Sequence, residues 1–431
     1  MHHPKRTWLL CLLAFLLAAA ASAAGQLPAS DPAAAGLSAK GLVRVDAMAE
    51  GYVRRGAMPG VLIVVARHGR IVHTYSVGAR DIEADAPMVT DTIFRIYSMT
   101  KPITGVAVLQ LLERGMIYLS DPVSRFLPEF TDLTVWVGGP SEARETEPAR
   151  TMTIEHLLTH TSGLTYGDRS AEGVPAMYAA ASLYSSPDLE AFVSKLVQLP
   201  LASQPGTRWE YSVSTDVLGR IVEAVAGKPF DTYLHDEIFQ PLGMVDTGFR
   251  VPDEKVSRFA ALYRRTDDGG LRLTETPEAS GYRAQRQVPF GGQGLVSTAA
   301  DYLRFATMLV NGGELGGVRV LSRESVDLML RDHMGAEYGP HPLTSSWMGD
   351  GARGLGFGLT GAVVRDGAAN GIPGSTGAFF WGGAASTFFW LDRDRELVGL
   401  QFTQLMPSDA YPIREEFRRL TYEALAEMEA R

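Results

Sequence analysis

The feature that most constrains the fold is an apolar run that starts shortly after Ser98, continues to Leu112 and is followed by Gly115. Apolar residues fall on nearly every side of the predicted helix, so we expect it to be buried on most of its circumference. Glycine at the C′ position is typical of a helix end. A helix covered in this way needs a large core around it, and the length and apolar content of the chain are sufficient for one.

The start of this helix carries Ser98 and, three residues later, Lys101. One helical turn places the lysine ammonium beside the serine hydroxyl. A lysine accepts the proton of a serine only where burial or nearby positive charge holds the amine neutral, and the free N–H groups at a helix start favour developing negative charge. The pair is therefore a candidate nucleophile and base. A Ser-x-x-Lys match alone is a weak indication, because most exposed lysines are simply solvated.

The first 23 residues have the pattern of a cleavable signal peptide. Lys5 and Arg6 precede an apolar stretch too short to span a bilayer, and Ala21-Ser22-Ala23 is a small-residue cleavage site. Cleavage there removes Cys11, the only cysteine, so the mature chain has no disulfide and no thiol chemistry. No later stretch is apolar enough to span a membrane. We expect a periplasmic or secreted protein without a stable membrane anchor.

The net charge of the chain and the absence of two binding motifs limit the kinds of ligand that we expect. The formal charge of −9 becomes −11 without the N-terminal lysine and arginine, and no basic cluster remains, which argues against nucleic acid. His156 and His160 have the spacing of a zinc pair, but the glutamate of the zinc-protease motif is missing. The segment 291–294 lacks the third glycine of a dinucleotide loop. We expect no metal, no cofactor and a small-molecule substrate; the oligomeric state stays open.

Strand signals occur near both ends of the chain and helical signals occur between them. This order predicts one sheet assembled from two distant segments, with helices packed on it and a mostly helical insertion beside it. The expected elements are a helix at 39–54, a hairpin turning at 68–69, helices at 187–197 and 215–225 (the latter capped by Ser214 and Gly227), strands at 358–365, 377–381, 386–391 and 397–403, and a last helix at 413–428.

These elements suggest the following domain boundaries. A linker is expected at 24–37, after the signal peptide. A discontinuous α/β domain is expected at 38–118 and 287–431, and a mostly helical domain at 119–286. The Gly-rich loop at 333–356 is expected to be ordered and to flank the site, with a disordered connection as the alternative.

Two further segments carry candidate chemistry. Tyr211 stands in a loop before a predicted helix, where a phenol beside a cation shuttles protons, although a tyrosine in such a place is more often a core-edge residue. Trp381 precedes the pair Gly382 and Gly383, where two aromatic strands meet. Paired glycines let a ligand approach the backbone, whereas a tight turn in a sandwich core accounts for the aromatic residues alone.

Together, Ser98-x-x-Lys101, Tyr211-Ser212-Val213 and Trp381-Gly382-Gly383 resemble the three motifs of family VIII carboxylesterases. That family belongs to the superfamily of class C β-lactamases and D-alanyl-D-alanine carboxypeptidases. The resemblance covers nearly the whole chain after the signal peptide. It implies an α/β fold, a β-lactamase-like sandwich of an antiparallel sheet flanked by helices, with an inserted mostly helical domain.

The resemblance also implies roles for individual residues. Ser98 is the expected nucleophile, Lys101 its base and Tyr211 the proton relay to the leaving group. The backbone N–H groups of Ser98 and Ala384 are the expected oxyanion hole. The Gly-x-Ser-x-Gly elbow of α/β-hydrolases is absent, so that alternative fold is not expected.

The motifs depart from those of the β-lactamases and peptidases at two positions. Val213 stands where they have an asparagine that grips the substrate amide, and Trp381 stands where they have a lysine or histidine. With Gly382 and Gly383, these are the expected substrate-contacting residues, and both changes favour an uncharged ester. We expect an exported serine hydrolase that cleaves carboxylic esters with short acyl chains. The alternatives are a β-lactamase or carboxypeptidase-like enzyme, a penicillin- or peptidoglycan-binding protein without turnover, and an acyltransferase.

Overall fold

The computed structural model describes residues 27–139, 144–168, 170–284, 287–335, 338, 343 and 352–430. The expected signal peptide and most of the loop 333–356 lie outside these residues, so both stay predictions. Helices are numbered in chain order: α1 (Ala39–Arg54), α2 (Thr100–Glu113), α3 (Ile154–Leu158), α4 (Val174–Ala181), α5 (Leu189–Leu196), α6 (Ser214–Ala226), α7 (Phe230–Leu234), α8 (Gln240–Leu242), α9 (Ala299–Val310), α10 (Arg323–Leu330) and α11 (Ile413–Glu429).

Strands are numbered in the same way: β1 (Gly60–Arg67), β2 (Arg70–Asp81), β3 (Ala86–Pro87), β4 (Phe94–Arg95), β5 (Thr134–Gly138), β6 (Glu145–Pro148), β7 (Leu262–Arg265), β8 (Leu271–Glu275), β9 (Val296–Ser297), β10 (Glu314–Leu315), β11 (Val318–Arg319), β12 (Leu355–Phe357), β13 (Ala362–Val364), β14 (Phe379–Gly382), β15 (Phe388–Asp392), β16 (Leu397–Phe402) and β17 (Leu405–Met406).

The largest sheet has eight strands in the order β12-β13-β14-β15-β16-β1-β2-β3, and all neighbours in it are antiparallel. The β1–β2 hairpin from the beginning of the chain pairs with β16 from its end, with Val64 opposite Leu400. The prediction of one sheet assembled from two distant segments is therefore confirmed. The segment 27–37 contacts the edge of β2, where Ser30 N–H donates to the carbonyl oxygen of Ile71 (2.8 Å).

Both faces of the sheet are covered. Successive side chains on β1 point to opposite faces. Ile63 and Val65 join a core formed with α1 and α11, whereas Leu62 and Val64 join the larger core that contains α2 and α9. The central strands are consequently apolar at nearly every position, which is why their sequences are near-continuous apolar runs rather than alternating ones.

Helices α1 and α11 pack directly on each other. At their contact, a Cβ atom placed on Gly41 of α1 would lie only 2.5 Å from the Cβ of Ala424 in α11. Glycine at this position therefore allows a closer approach than any other residue would. The position of α11 on the sheet thus depends on α1.

Helix α2 matches the expectation from its apolar run. Every residue from 100 to 111 is buried, and Gly115 takes a left-handed φ of +68° one residue beyond the C-cap. A single 3₁₀ turn, Tyr97–Met99, leads into the helix and carries Ser98. The helix thus lies inside the core, with Ser98 half-buried at its start.

Three details differ from the sequence predictions. The strand expected at 358–365 begins only at Ala362, because residues 358–361 form the turn between β12 and β13: Thr360 takes a φ of +70°, and Gly358 N–H donates to Gly361 O (2.8 Å). Ser214 does not cap α6 but is its first residue, and its hydroxyl bonds to Ser162 and Ser212 instead. The middle segment is not only helical, since it contains the β5–β6 and β7–β8 hairpins.

Candidate active site

The backbone before Ser98 holds an uncommon conformation. Tyr97 takes a φ of +43°, in the left-handed region that costs a non-glycine residue roughly 1 kcal/mol. The turn is held from outside: Ile96 N–H donates to Leu295 O (3.0 Å), and Tyr302 Oη donates to Met99 O (2.9 Å). Such strain persists only where the surroundings fix it, and here it sets the direction of the Ser98 side chain.

Lys101 is fully buried beside Ser98. Its Nζ donates to Ser98 Oγ (3.2 Å), Tyr166 Oη (3.0 Å) and Gly292 O (2.6 Å). A lysine ammonium has three donors, so each of them has an acceptor. The adjacency predicted from the Ser-x-x-Lys spacing is observed, and Gly292 comes from the segment that was excluded as a dinucleotide loop.

Tyr211 completes the cluster around the Ser98 hydroxyl. Its Oη donates to Ser98 Oγ at 2.7 Å, and its ring lies over Lys101 with 4.7 Å between Nζ and the ring centroid. Trp209 stacks on the tyrosine with centroids 6.2 Å apart, and Trp381 lies 5.4 Å away at a tilt. These rings fix the phenol in place, so that Ser98 is hydrogen-bonded to both predicted proton-transfer groups.

His160 supports Tyr211 from behind rather than facing the cavity. Its Nδ1 lies 3.1 Å from Ser212 Oγ, and its ring packs 5.0 Å from the Tyr211 ring. Burial, followed by the charge of Lys101, holds the pKa of His160 well below its usual value, so the ring is neutral at pH 7. Among the described residues, no group of three or more His, Cys, Asp or Glu side chains is placed to hold a metal.

A buried carboxylate lies behind Lys101, and the sequence did not indicate it. Asp216 accepts from Gly292 N–H (2.8 Å) and from Tyr184 Oη (3.0 Å). Burial raises the pKa of Asp216 to about 6, although the charge of Lys101 opposes the rise. Because Gly292 also accepts from Lys101, one peptide residue joins the carboxylate to the amine.

Tyr166 is the second group that sequence reasoning missed. It accepts from Lys101, and its ring lies 5.1 Å from that of Tyr211. Burial is the main reason that the pKa of Tyr166 is far above its usual value, so its phenol stays protonated. No local signal marked this residue, because it stands in an irregular segment. Asp216 had one weak signal, an acidic residue in the first turn of a mostly buried helix.

The cluster opens into a cavity of about 510 Å³. Trp381, Gly382, Gly383 and Ala384 line this cavity together with Ser98, as expected. Val213, also expected at the substrate, is only 1% exposed and joins the hydrophobic core, and it is not among the lining residues that the structure describes.

Helix α11 forms the opposite wall with Arg414 and Arg418. Arg414 Nη2 donates to Gly383 O (2.6 Å) and Thr387 O (3.0 Å). A Cβ atom on Gly382 would lie 2.7 Å from Arg414 Cζ, so glycine at that position admits the guanidinium. Burial lowers the pKa of both arginines to about 10, which leaves them cationic at neutral pH.

The beta-lactamase family model matches residues 45–423, which is most of the chain. The chain belongs to the beta-lactamase family. Esterase EstB of Burkholderia gladioli is 35% identical over 394 residues, covering 86% of this chain and 93% of the esterase. An uncharacterised protein of Mycobacterium tuberculosis is 37% identical over 360 residues, covering 82% and 87%.

A solved structure agrees with the family assignment. The structure of EstCE1, described as a hydrolase with promiscuous acyltransferase activity, superposes with a TM-score of 0.72 at 27% identity and covers 89% of this chain and 98% of EstCE1. The predicted β-lactamase-like α/β fold is confirmed. Within the family, the protein is a serine hydrolase of the kind that includes esterases and acyltransferases. In the described part of the chain, no helix combines the length and apolarity needed to cross a membrane.

Proposed function

We propose that the protein hydrolyses carboxylic esters with short acyl chains through an acyl-enzyme on Ser98. The observation that carries the proposal is the pair of hydrogen bonds on Ser98 Oγ, from Tyr211 Oη at 2.7 Å and from Lys101 Nζ at 3.2 Å. A serine hydroxyl bonded to two proton-transfer groups in a cavity wall is arranged for nucleophilic catalysis.

The proposed reaction has two steps. In the reacting form the Lys101–Tyr211 pair has lost one proton and can therefore accept another. Ser98 Oγ bonds to the ester carbonyl carbon while its proton passes to this pair, and the bond to the leaving oxygen then breaks as Tyr211 returns that proton to it. In the second step water attacks the acyl carbon and gives up a proton to the same pair, the bond from that carbon to Ser98 Oγ breaks, and the pair passes the proton to Ser98 Oγ, which releases the carboxylic acid and the free serine. The pair ends each cycle with the protons it began with.

Charge on the carbonyl oxygen needs donors during both steps. We assign the backbone N–H groups of Ser98 and Ala384 to this role, as the family resemblance implies, and both residues line the cavity. Removal of one oxyanion donor typically costs about 3–4 kcal/mol of transition-state stabilisation. Backbone donors need no reorganisation as the oxyanion forms.

Selectivity for esters over β-lactams is assigned to Trp381. Its ring lies 5.4 Å from Tyr211, beside the nucleophile, and offers apolar surface instead of a cation. Val213 supplies no amide to the cavity. A substrate amide and an adjacent carboxylate, the two groups common to penicillins and cephalosporins, therefore lose the partners that the β-lactamases offer.

The test is an ester panel run beside a chromogenic cephalosporin. Turnover of p-nitrophenyl acetate and butyrate, falling for long acyl chains, supports the proposal, and a higher kcat/KM for nitrocefin overturns it. Mass spectrometry after rapid quenching should find the acyl group on the peptide containing Ser98. Added alcohols distinguish the alternative, because an acyltransferase converts most of the acyl-enzyme into a new ester rather than into free acid.

We also propose that the enzyme is exported by cleavage after Ala23, on the basis of its N-terminal pattern. Expression of the full chain in a bacterial host and N-terminal sequencing of the periplasmic fraction test this. A product that keeps Met1 and stays in the cytoplasm contradicts it.

A further inference from the structure

The wall of the cavity formed by α11 contains cationic donors without partners. Arg418 is only 4% exposed, yet its Nε and Nη1 atoms have no hydrogen-bond partner among the described residues, and the same holds for Arg414 Nε. Buried charged donors are normally satisfied, because leaving them unpaired costs more than a neutral group would. Both side chains line the cavity that contains Ser98.

The surroundings fix Arg418 in place. Its Nη2 donates to Asn370 Oδ1, and its Cζ lies 4.6 Å from the ring centroid of Phe380 in β14. Nη2 is thus anchored, while Nε and Nη1, both buried, have no partner among the described residues. Arg418 stands four residues after Arg414, so both lie on one face of α11, one turn apart.

Two acidic residues, Asp409 and Glu415, also line the cavity, but both are exposed. Neither appears as a hydrogen-bond or ion-pair partner of Arg418, whose unpartnered atoms are buried. The positive charge is therefore concentrated at a buried position, and the negative charge lies where water screens it.

We propose that Arg418, with Arg414, forms a carboxylate-binding subsite, and that the preferred ester carries a carboxylate remote from the scissile bond. A carboxylate accepts charge-assisted hydrogen bonds from a guanidinium, and both Nε and Nη1 of Arg418 are without a partner among the described residues. The subsite rests on the proposed function and narrows its substrate class. It supplies, from the last helix, a cation that the sequence did not predict for this cleft.

Binding to the Ser98→Ala protein tests the subsite without turnover. Two matched ester pairs place the carboxylate on either half: para-carboxyphenyl butyrate against its methyl ester, and mono-p-nitrophenyl adipate against its methyl ester. In calorimetry we expect one carboxylate ester to bind at least about tenfold tighter than its neutral partner, the effect of one charge-assisted contact. Equal binding within both pairs overturns the proposal.

Variants then assign the preference to Arg418. Arg418→Met, made in the Ser98→Ala background, should remove most of the preference. Arg418→Gln, which keeps a donor for Asn370, replaces it if melting curves show that the methionine variant does not fold. Arg419→Met is the matched control, since Arg419 is exposed on the same helix and pairs with Glu423. A preference that survives the loss of the Arg418 charge overturns the assignment.

Two outcomes separate this inference from the proposed function. If the enzyme with Ser98 intact turns over p-nitrophenyl butyrate but Ser98→Ala shows no carboxylate preference, only the subsite is wrong. If it turns over no ester while the carboxylate esters still bind through Arg418, the subsite stands and the hydrolytic proposal fails.

Discussion

The two walls of the cavity differ in whether their buried polar groups have hydrogen-bond partners. On the wall built by α2 and the start of α6, Lys101 uses all three donors on neighbours, and Tyr211 bonds to Ser98. On the wall built by α11, Arg418 has two buried donors that no described residue accepts from. The hydrogen bonds of the first wall are all formed before a substrate binds, and preorganised groups of this kind are what transition-state stabilisation requires. The second is completed by a ligand, so the comparison separates groups that perform the reaction from groups that select the substrate.

The largest effect is expected from Ser98→Ala, which removes the centre of the first wall. Ester turnover should fall to the background rate, whereas the melting temperature should change little, because Ser98 is half-buried and loses only one hydroxyl. The exposed Ser257, changed to alanine, is the matched control. Wild-type turnover of p-nitrophenyl butyrate by Ser98→Ala would show that the nucleophile is another residue.

The next effect tests whether the first wall acts as one unit. Lys101→Met and Tyr211→Phe should each lower kcat by roughly a hundredfold, which is within the range for general acid–base groups. Methionine is chosen because it keeps most of the lysine volume in a fully buried position.

The double variant supplies the decisive comparison. If both residues move the same protons, its defect should be close to that of the worse single variant. A defect equal to the product of the two single defects contradicts a shared role and assigns each residue a separate step.

A smaller effect is expected when a cation is added at Trp381, in β14 beside Tyr211. Trp381→Lys should weaken ester binding through lost apolar contact and raise the ratio of kcat/KM for nitrocefin to that for p-nitrophenyl butyrate by about tenfold at most. The gain is limited because a lysine at a site that is 2% exposed needs a partner to stay charged. An unchanged ratio removes Trp381 as the determinant of selectivity.

The last prediction concerns Asp216, which lies behind the first wall, and its readout is the stability of the fold rather than turnover. Burial raises the pKa of Asp216 from an ordinary 3.8 to about 6. Between these two pH values, the folded state therefore binds a proton that the unfolded state has already lost. This group therefore stabilises the wild type below pH 4, and that stability is lost as pH rises towards 6.

Asp216→Asn should abolish this pH step. The free energy of unfolding of the wild type minus that of the variant should fall by roughly 2 kcal/mol between pH 4 and pH 7, measured by urea denaturation. A difference that does not change with pH contradicts the raised pKa of the carboxyl group.

The sequence predicted the first wall well because its signals are local. The Ser98–Lys101 spacing sets their adjacency within one turn, and the apolar run sets the burial of α2. Helix α1 begins and ends where predicted, because Ser38 caps it and its apolar residues repeat with helical period. The hairpin at His68 and Gly69 was also found, since both take a left-handed φ that such turns need.

The second wall could not be predicted in this way. In an amphipathic helix such as α11, arginines normally belong to the solvated face, and only packing against β14 buries Arg418. That packing joins residues that are distant along the chain. Tyr166 was missed for a similar reason, because its contact with Lys101 spans 65 residues. The strand predicted at 358–365 was wrong in its first half, because Gly358 and Gly361 bracket a turn there.

The close contact between Gly41 and Ala424 has a consequence for evolution and engineering. A single methyl group added at Gly41 would push α11 away by about 1 Å to restore an ordinary carbon–carbon distance. Because a packed helix moves as a rigid rod, the displacement would reach Arg414 and Arg418 while leaving α2 in place. Substrate preference can therefore be changed from a position outside the cavity, by moving one helix over the sheet, and the hydrogen bonds of Arg414 to Gly383 and Thr387 would carry part of that movement to the strand end beside Ala384.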